Sequence, residues 1–248
     1  MRDLLVAGNW KMNGTRASVA ALVRGLLDAG PMPCLTLICP PNIFLGQVQA
    51  LLQGYDIALG AQNLDWHEAG AYTGEVSANM LLEFGCSHVL VGHSERRLLF
   101  GESNEQVGLK VDRCLASGLV PIICVGETLA QRQAGATITI VEAQLKAVLD
   151  KVGVQALGKS VIAYEPVWAI GSGASATPGE AEKVHVQIRE YLAKQELKIA
   201  ENIQILYGGS VDGKNAASLF AQENIDGALV GGASLQVSEF LRICRAAA

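Results

Sequence analysis

Lys11, His93 and Glu165 have side chains suited to proton chemistry, and each stands just after a short apolar run: Leu4–Gly8, Val89–Gly92 and Val161–Tyr164. A carboxylate can take a carbon-bound proton, an imidazole can exchange protons near neutral pH, and an ammonium can stabilise developing negative charge. One such residue alone carries little, because a Lys after a strand is ordinarily a solvated charge and a His is more often a turn or core residue. Three on one rim favour chemistry over packing. Three glycine-rich turns suggest a second kind of site: Gly171-Ser172-Gly173, Tyr207-Gly208-Gly209-Ser210-Val211 and Val230-Gly231-Gly232-Ala233-Ser234. Glycine lets the backbone approach closely, and bare N–H groups in such turns bind an oxyanion such as phosphate without a cationic side chain.

The elements that must position these residues repeat along the chain. Apolar, partly β-branched runs occur at Leu4–Gly8, Leu35–Cys39, Ile57–Ala61, Val89–Gly92, Val120–Val125, Val161–Tyr164, Ile203–Tyr207 and Ala228–Gly231. Segments of helical spacing lie between them, among them Ser18–Leu27, Glu105–Leu115, Thr139–Leu149, Glu180–Leu192 and Asn215–Phe220. Near-continuous apolar strands alternating with amphipathic helices predict a parallel sheet covered by helices. Eight such strands predict an α/β fold closed into an eight-stranded parallel (β/α)8 barrel, with an open doubly wound sheet as the alternative. No linker or composition shift divides the chain, so residues 1–248 are expected to form one domain. Half of the residues are hydrophobic but only 5% are aromatic, so Val, Ile, Leu and Ala must fill the core.

Closure places the residues that follow the strands on one C-terminal face, where active sites of barrels are built. Asn9-Trp10-Lys11, Gln62-Asn63, His93-Ser94-Glu95, Glu165-Pro166 and the turns at Gly208 and Gly231 would then share a rim. The loops after the seventh and eighth strands are the usual phosphate cradle of such a barrel.

Other function classes find little support. The net charge is −5, with the signs mixed along the chain, which suits no nucleic-acid partner. The six cysteines form no Cys-x-x-Cys pair, so neither a disulfide framework nor a zinc site is expected, and a reducing cytoplasm is the natural setting. No stretch approaches the ~20 apolar residues of a membrane helix, and the first apolar run is too short for a secretion signal. Gly153 to Ser160 matches a Walker A motif in letters, but it follows a helix and opens a strand, the reverse of a phosphate-binding loop. Gly171 to Ala176 mimics a dinucleotide fingerprint, yet Pro166 to Ile170 separate it from its strand.

Seven stretches, in order over the whole length, resemble the triosephosphate isomerase family. They are Gly8-Asn9-Trp10-Lys11-Met12-Asn13, Gly60-Ala61-Gln62-Asn63, Val91 to Arg97, Cys124 to Thr128, Ala163 to Gly171, and the turns at Tyr207 and Gly231. The resemblance implies a (β/α)8 TIM barrel that interconverts dihydroxyacetone phosphate and D-glyceraldehyde 3-phosphate through an enediol(ate), in glycolysis and gluconeogenesis. It implies that Glu165 is the base, that His93 polarises the carbonyl as a neutral imidazole, that Lys11 supplies a fixed ammonium and that Asn9 adds a hydrogen bond. Ser94 to Arg97 reads as a first helical turn, whose positive end disfavours an imidazolium at His93. Glu95 would hold Lys11, while Ser94 and Cys124 would surround the base, Cys124 as a buttress. Gly171, Ser210, Gly231 and Gly232 would bind the substrate. No metal or organic cofactor is implied, because the substrate carbonyl already acidifies the proton.

The resemblance also implies a lid and a partner. Pro166-Val167-Trp168 would be the first hinge, Ala169-Ile170-Gly171-Ser172-Gly173 the tip and Ala174-Ser175-Ala176 the second hinge, closing over phosphate to exclude water. Ser172, Ala174 and Ser175 depart from the family's usual Thr, Lys and Thr, which bears on lid kinetics rather than on the chemistry. The segment from Gln62 to Asn79 is long for an idle connection. Within it, Tyr72-Thr73-Gly74-Glu75 resembles the loop that inserts into a second subunit, so a homodimer is expected, with Thr73 beside Asn9 and Lys11 of the second copy. Asp65-Trp66-His67-Glu68 has no functional reading. Two other activities compete: another phosphate-binding barrel enzyme, such as a phosphosugar lyase or synthase, and a sugar-phosphate binder without catalysis. The first does not account for the Lys11, His93 and Glu165 set, and the second would be expected to lack at least one of them.

Overall fold

A computed structural model describes residues 2–170 and 176–247. Gly171, Ser172, Gly173, Ala174 and Ser175, expected in the lid, lie outside the described residues. The strands are β1 (Leu5–Asn9), β2 (Leu35–Cys39), β3 (Ala58–Ala61), β4 (His88–Val91), β5 (Val120–Val125), β6 (Val161–Tyr164), β7 (Gln204–Tyr207) and β8 (Gly227–Val230). Each pairs in parallel with the next, and β8 pairs with β1. The sheet is therefore a closed barrel, and the open alternative does not apply. At the seam, Leu5 pairs with Leu35 on one side and Gly227 on the other. A Cβ on Gly227 would lie 1.9 Å from the Leu5 carbonyl oxygen, and its φ is +126°, so only glycine permits this closure.

Alternation along each strand divides the core into two layers. Leu5, Ala7, Leu37, Cys39, Leu90, Ile122, Cys124, Val161, Ala163, Leu206 and Leu229 pack together inside the barrel. Their neighbours in sequence, such as Val6, Ile38, Val89, Ile123, Ile162, Ile205 and Ala228, pack outward against the helices. Burial on both faces explains why the strands read as continuous apolar runs.

The helices begin where side-chain oxygens can accept their free N–H groups. Thr15 caps Arg16–Leu27, Ser103 caps Asn104–Ala116 and Thr177 caps Pro178–Ala193, each as a capping box. Pro178 occupies the first turn of this helix, where a proline's missing N–H costs nothing. The Walker-like segment does lie between a helix, Thr137–Val152, and β6, but it contains a single-turn helix, Val154–Leu157. Among the described residues, no helix is long and apolar enough to cross a membrane.

Candidate active site

Strand parity carries two polar side chains into the barrel mouth. Leu5 and Ala7 point inward, and Asn9 follows; Val161 and Ala163 point inward, and Glu165 follows. The Glu165 N–H donates to the Val125 carbonyl at 2.7 Å, extending the ladder by one residue and fixing where the carboxylate emerges. His93 leaves β4 after Gly92 and caps the helix Ser94–Leu99. Lys11 stands two residues beyond β1 with φ +51°, alone in the left-handed region among the described non-glycine residues. Its N–H donates to the Asn9 side chain at 3.0 Å, and Gln62 donates to its carbonyl at 2.9 Å. These bonds hold a conformation that costs an ordinary residue about 1 kcal/mol or more.

The groups converge on a cavity of about 590 Å³ lined by Asn9, Lys11, His93, Glu165, Ile170, Gly208, Gly209, Ser210, Gly231 and Gly232, with several flanking residues. His93 Nε2 lies 3.0 Å from Glu165 Oε1, and the Ser94 N–H donates to Glu165 Oε2 at 2.9 Å. Lys11 Nζ lies 2.5 Å from Glu95 Oε1. The Ser234 hydroxyl donates to the Gly231 carbonyl at 2.6 Å and to the Asn9 carbonyl at 3.5 Å, tying the β8 turn to the end of β1.

Electrostatics in this pocket are set by competition. Burial alone would raise the Glu165 pKa; the facing His93, the Ser94 N–H and Lys11 outweigh it and hold the carboxyl below the ordinary glutamate value. For His93, burial disfavours the charged ring, but the Glu165 carboxylate more than offsets this and draws its pKa above the ordinary histidine value. The backbone sets a limit on that pull. The Glu95 N–H donates to Nδ1 at 3.2 Å, so Nδ1 is an acceptor and the ring proton belongs on Nε2, facing Glu165. This hydrogen bond favours a bare Nδ1, while the upward pull comes mainly from Glu165, with Glu95 adding to it, and the Glu165 share weakens when that carboxylate moves away.

The comparisons with known proteins agree in scale as well as in motif. The sequence model of the family described as "Triosephosphate isomerase" matches residues 4–247. A triosephosphate isomerase of Dechloromonas aromatica is 54% identical over 249 residues, covering all of both chains. One of Nitrosococcus oceani is 52% identical over 250 residues with the same coverage, and one of Paracidovorax citrulli is 54% identical over 248 residues, covering 98% of each. The chain belongs to the triosephosphate isomerase family.

Within this family member, the cavity brings together Asn9, Lys11, His93, Glu165, Ser210, Gly231 and Gly232. Ser94, Cys124 and Val167 line a smaller cavity of about 210 Å³ behind Glu165. Cys124 is fully buried there, and burial together with the Glu165 charge pushes its thiol well up. Gly74 and Glu75 line a third cavity, of about 460 Å³, beside Lys11 and Glu95, while Tyr72 and Thr73 project outward, exposed. Among the described residues, no group of three or more His, Cys, Asp and Glu side chains is placed to hold a metal ion.

Sequence reasoning missed the residues that hold the segments on either side of residues 171–175. Glu127, wholly buried after β5, accepts from the Tyr164 hydroxyl at 3.1 Å and from the Trp168 indole at 3.0 Å. Its carbonyl accepts the Val167 N–H at 3.1 Å, and the Arg132 guanidinium lies 4.3 Å from the centre of the Trp168 ring. At the other end of the loop, the Ala176 N–H donates to the Tyr207 hydroxyl at 3.3 Å. Glu127 follows a strand just as Glu165 does, and that position was its legible signal. Gln62, which also donates to the Cys39 carbonyl at 2.9 Å, carried the same signal.

Proposed function

We propose that this chain interconverts dihydroxyacetone phosphate and D-glyceraldehyde 3-phosphate by proton transfer through an enediol(ate). The observation that carries this reading is the meeting of Glu165 and His93 at 3.0 Å in a cavity that Lys11 and two glycine turns also line. Glu165 takes the proton from the carbon beside the carbonyl and returns it to the neighbouring carbon. His93 donates from Nε2 to the carbonyl oxygen, and Lys11 and Asn9 stabilise the charge that develops there. Backbone N–H groups at Ser210, Gly231 and Gly232 hold the phosphate. Glu165 must leave His93 to reach carbon, and Pro166 links that movement to the loop that Glu127 anchors.

Glu165→Asp tests the assignment in a coupled assay of triose phosphate interconversion. Retracting the carboxylate by about 1 Å is expected to lower turnover on the order of 10²-fold. Equal rates would mean that the base is another group.

We also infer a cytoplasmic homodimer. The cavity beside Lys11 is open, and exposed apolar side chains surround it: Met12 at 95% and Phe100 at 71% exposure both line it. A second copy inserting Thr73 would cover this surface and reach Asn9 and Lys11. Gly74 and Glu75 line the same cavity within one chain, so the loop proposed to insert starts beside Lys11.

A further inference from the structure

Two cysteines far apart in sequence approach each other at the rim opposite the active site. Cys34 directly precedes β2, and Cys244 lies in the last turn of the helix Val237–Arg245. Cys34 Sγ is 3.6 Å from the Cys244 carbonyl oxygen and 3.7 Å from Thr36 Oγ1, so the two cysteines are direct neighbours in the fold. Cys34 is partly open to solvent, whereas Cys244 is buried. Cys39, Cys86, Cys114 and Cys124 are buried as well, and burial pushes each of those thiols up, away from reactivity. The pair therefore has an unequal arrangement: an accessible sulfur with a buried thiol behind it.

We propose that Cys34 and Cys244 are a reactive thiol pair that forms a disulfide by exchange with small-molecule disulfides of the glutathione class. The Cys34 thiolate attacks one sulfur of the small disulfide, forming a mixed disulfide and releasing one thiolate. Cys244 then loses its proton to solvent and attacks Cys34 Sγ, breaking the mixed disulfide and releasing the second thiolate. The protein dithiol is oxidised and the small disulfide is reduced to two thiols, so no further oxidant enters.

The surroundings favour this order of events. The neighbouring Cys244 side chain holds Cys34 below the usual cysteine range despite partial burial, with a further contribution from Thr36. Cys244 is pushed the other way, by the neighbouring Cys34 side chain and by burial. Cys34 is thus the attacking sulfur and Cys244 the resolving one. The bond would join the start of β2 to the helix Val237–Arg245, closing a loop that spans most of the barrel, the case in which a cross-link restricts the unfolded chain most.

The test is incubation of the folded native chain with oxidised glutathione, followed by alkylation, intact mass and peptide mapping. The expected product has lost two hydrogens and yields one linked peptide joining Cys34 to Cys244, and dithiothreitol reverses both changes. Its thermal midpoint should rise on the order of 5–10 °C. Cys244→Ser should stop at the mixed disulfide, gaining one glutathionyl group on Cys34, while Cys34→Ser should form neither product. Absence of the 34–244 peptide from the native chain, linkage to another cysteine instead, or glutathionylation of Cys244 in Cys34→Ser would each overturn the proposal. The native-chain result decides the matter even if a variant fails to fold.

Discussion

Gly208→Ala puts the position of the base under direct strain. The Gly208 N–H donates to the Tyr164 carbonyl at 2.7 Å, which fixes the backbone beside Glu165. A Cβ added there would lie 2.8 Å from Glu165 Cγ and 3.2 Å from the Tyr164 oxygen. Carbon atoms in ordinary contact are about 3.5–4.0 Å apart, so the methyl and the base must separate by about 1 Å. Glu165 is 2% exposed and cannot yield without loosening its bond to His93 or to the Ser94 N–H. A displacement of that size is expected to lower kcat about 10²-fold. KM should change little, because the phosphate turns keep their N–H groups. Overpacking should destabilise the fold by about 1–3 kcal/mol, lowering the thermal midpoint by a few degrees. Steady-state kinetics alongside a thermal melt separate the two effects. Gly179→Ala is the control: nothing lies within 4 Å of its added Cβ, and it sits in a helix. Wild-type kcat in Gly208→Ala would refute the reasoning, because the base would then work from a place clear of the β7 turn.

Three further outcomes are expected. In Glu165→Gln, His93 loses the carboxylate that raises its pKa while burial and Lys11 continue to lower it, so its NMR titration should move to lower pH; an unchanged titration would contradict the coupling. Lys110 lies 2.7 Å from Glu102 and 2.7 Å from Asn63, with both charged side chains buried, so Lys110→Met should cost about 3–5 kcal/mol in a denaturant titration. A loss under about 1 kcal/mol would mean that Arg96, 2.8 Å from the other Glu102 oxygen, suffices. His67 stacks on Tyr72 with ring centres 3.8 Å apart and is held 2.7 Å from Asp65, forming a shelf under the loop proposed to enter a second copy. His67→Ala should raise the dimer dissociation constant about 3–10-fold in a sedimentation dilution series, and an unchanged constant would count against the shelf.

The fold was legible because its period is local. Each apolar run needs only its own four to six residues to declare a buried strand, and all eight recur as strands within a residue or two at either end. The rim residues were legible for the same reason, since position after a strand is a local property. Side-chain partnerships across the barrel were not. Nothing near Trp168 in the sequence points to Glu127, and nothing near Cys34 points to Cys244, because barrel register rather than chain spacing brings them together. The left-handed backbone at Lys11 was also hidden: Lys usually avoids that region, and the bonds from Asn9 and Gln62 that sustain it come from two strands. At His93, the helix end disfavoured an imidazolium, but the opposing pull of Glu165 required the distance between β4 and β6.

The seam between β1 and β8 also has a consequence in time. Asn9 and Lys11 are made more than two hundred residues before Gly227–Val230 and the Gly231 turn. Until then the outer edge of β1 has no partner, and the phosphate turn beside Lys11 does not exist. The chain consequently acquires its active centre all at once, when the last strand docks, and not in stages as it emerges. During that wait Leu5–Asn9 is an apolar strand with one bare edge, the feature that lets nascent chains pair wrongly with one another. For this barrel, the docking of β8 ends the period of risk and begins the period of use.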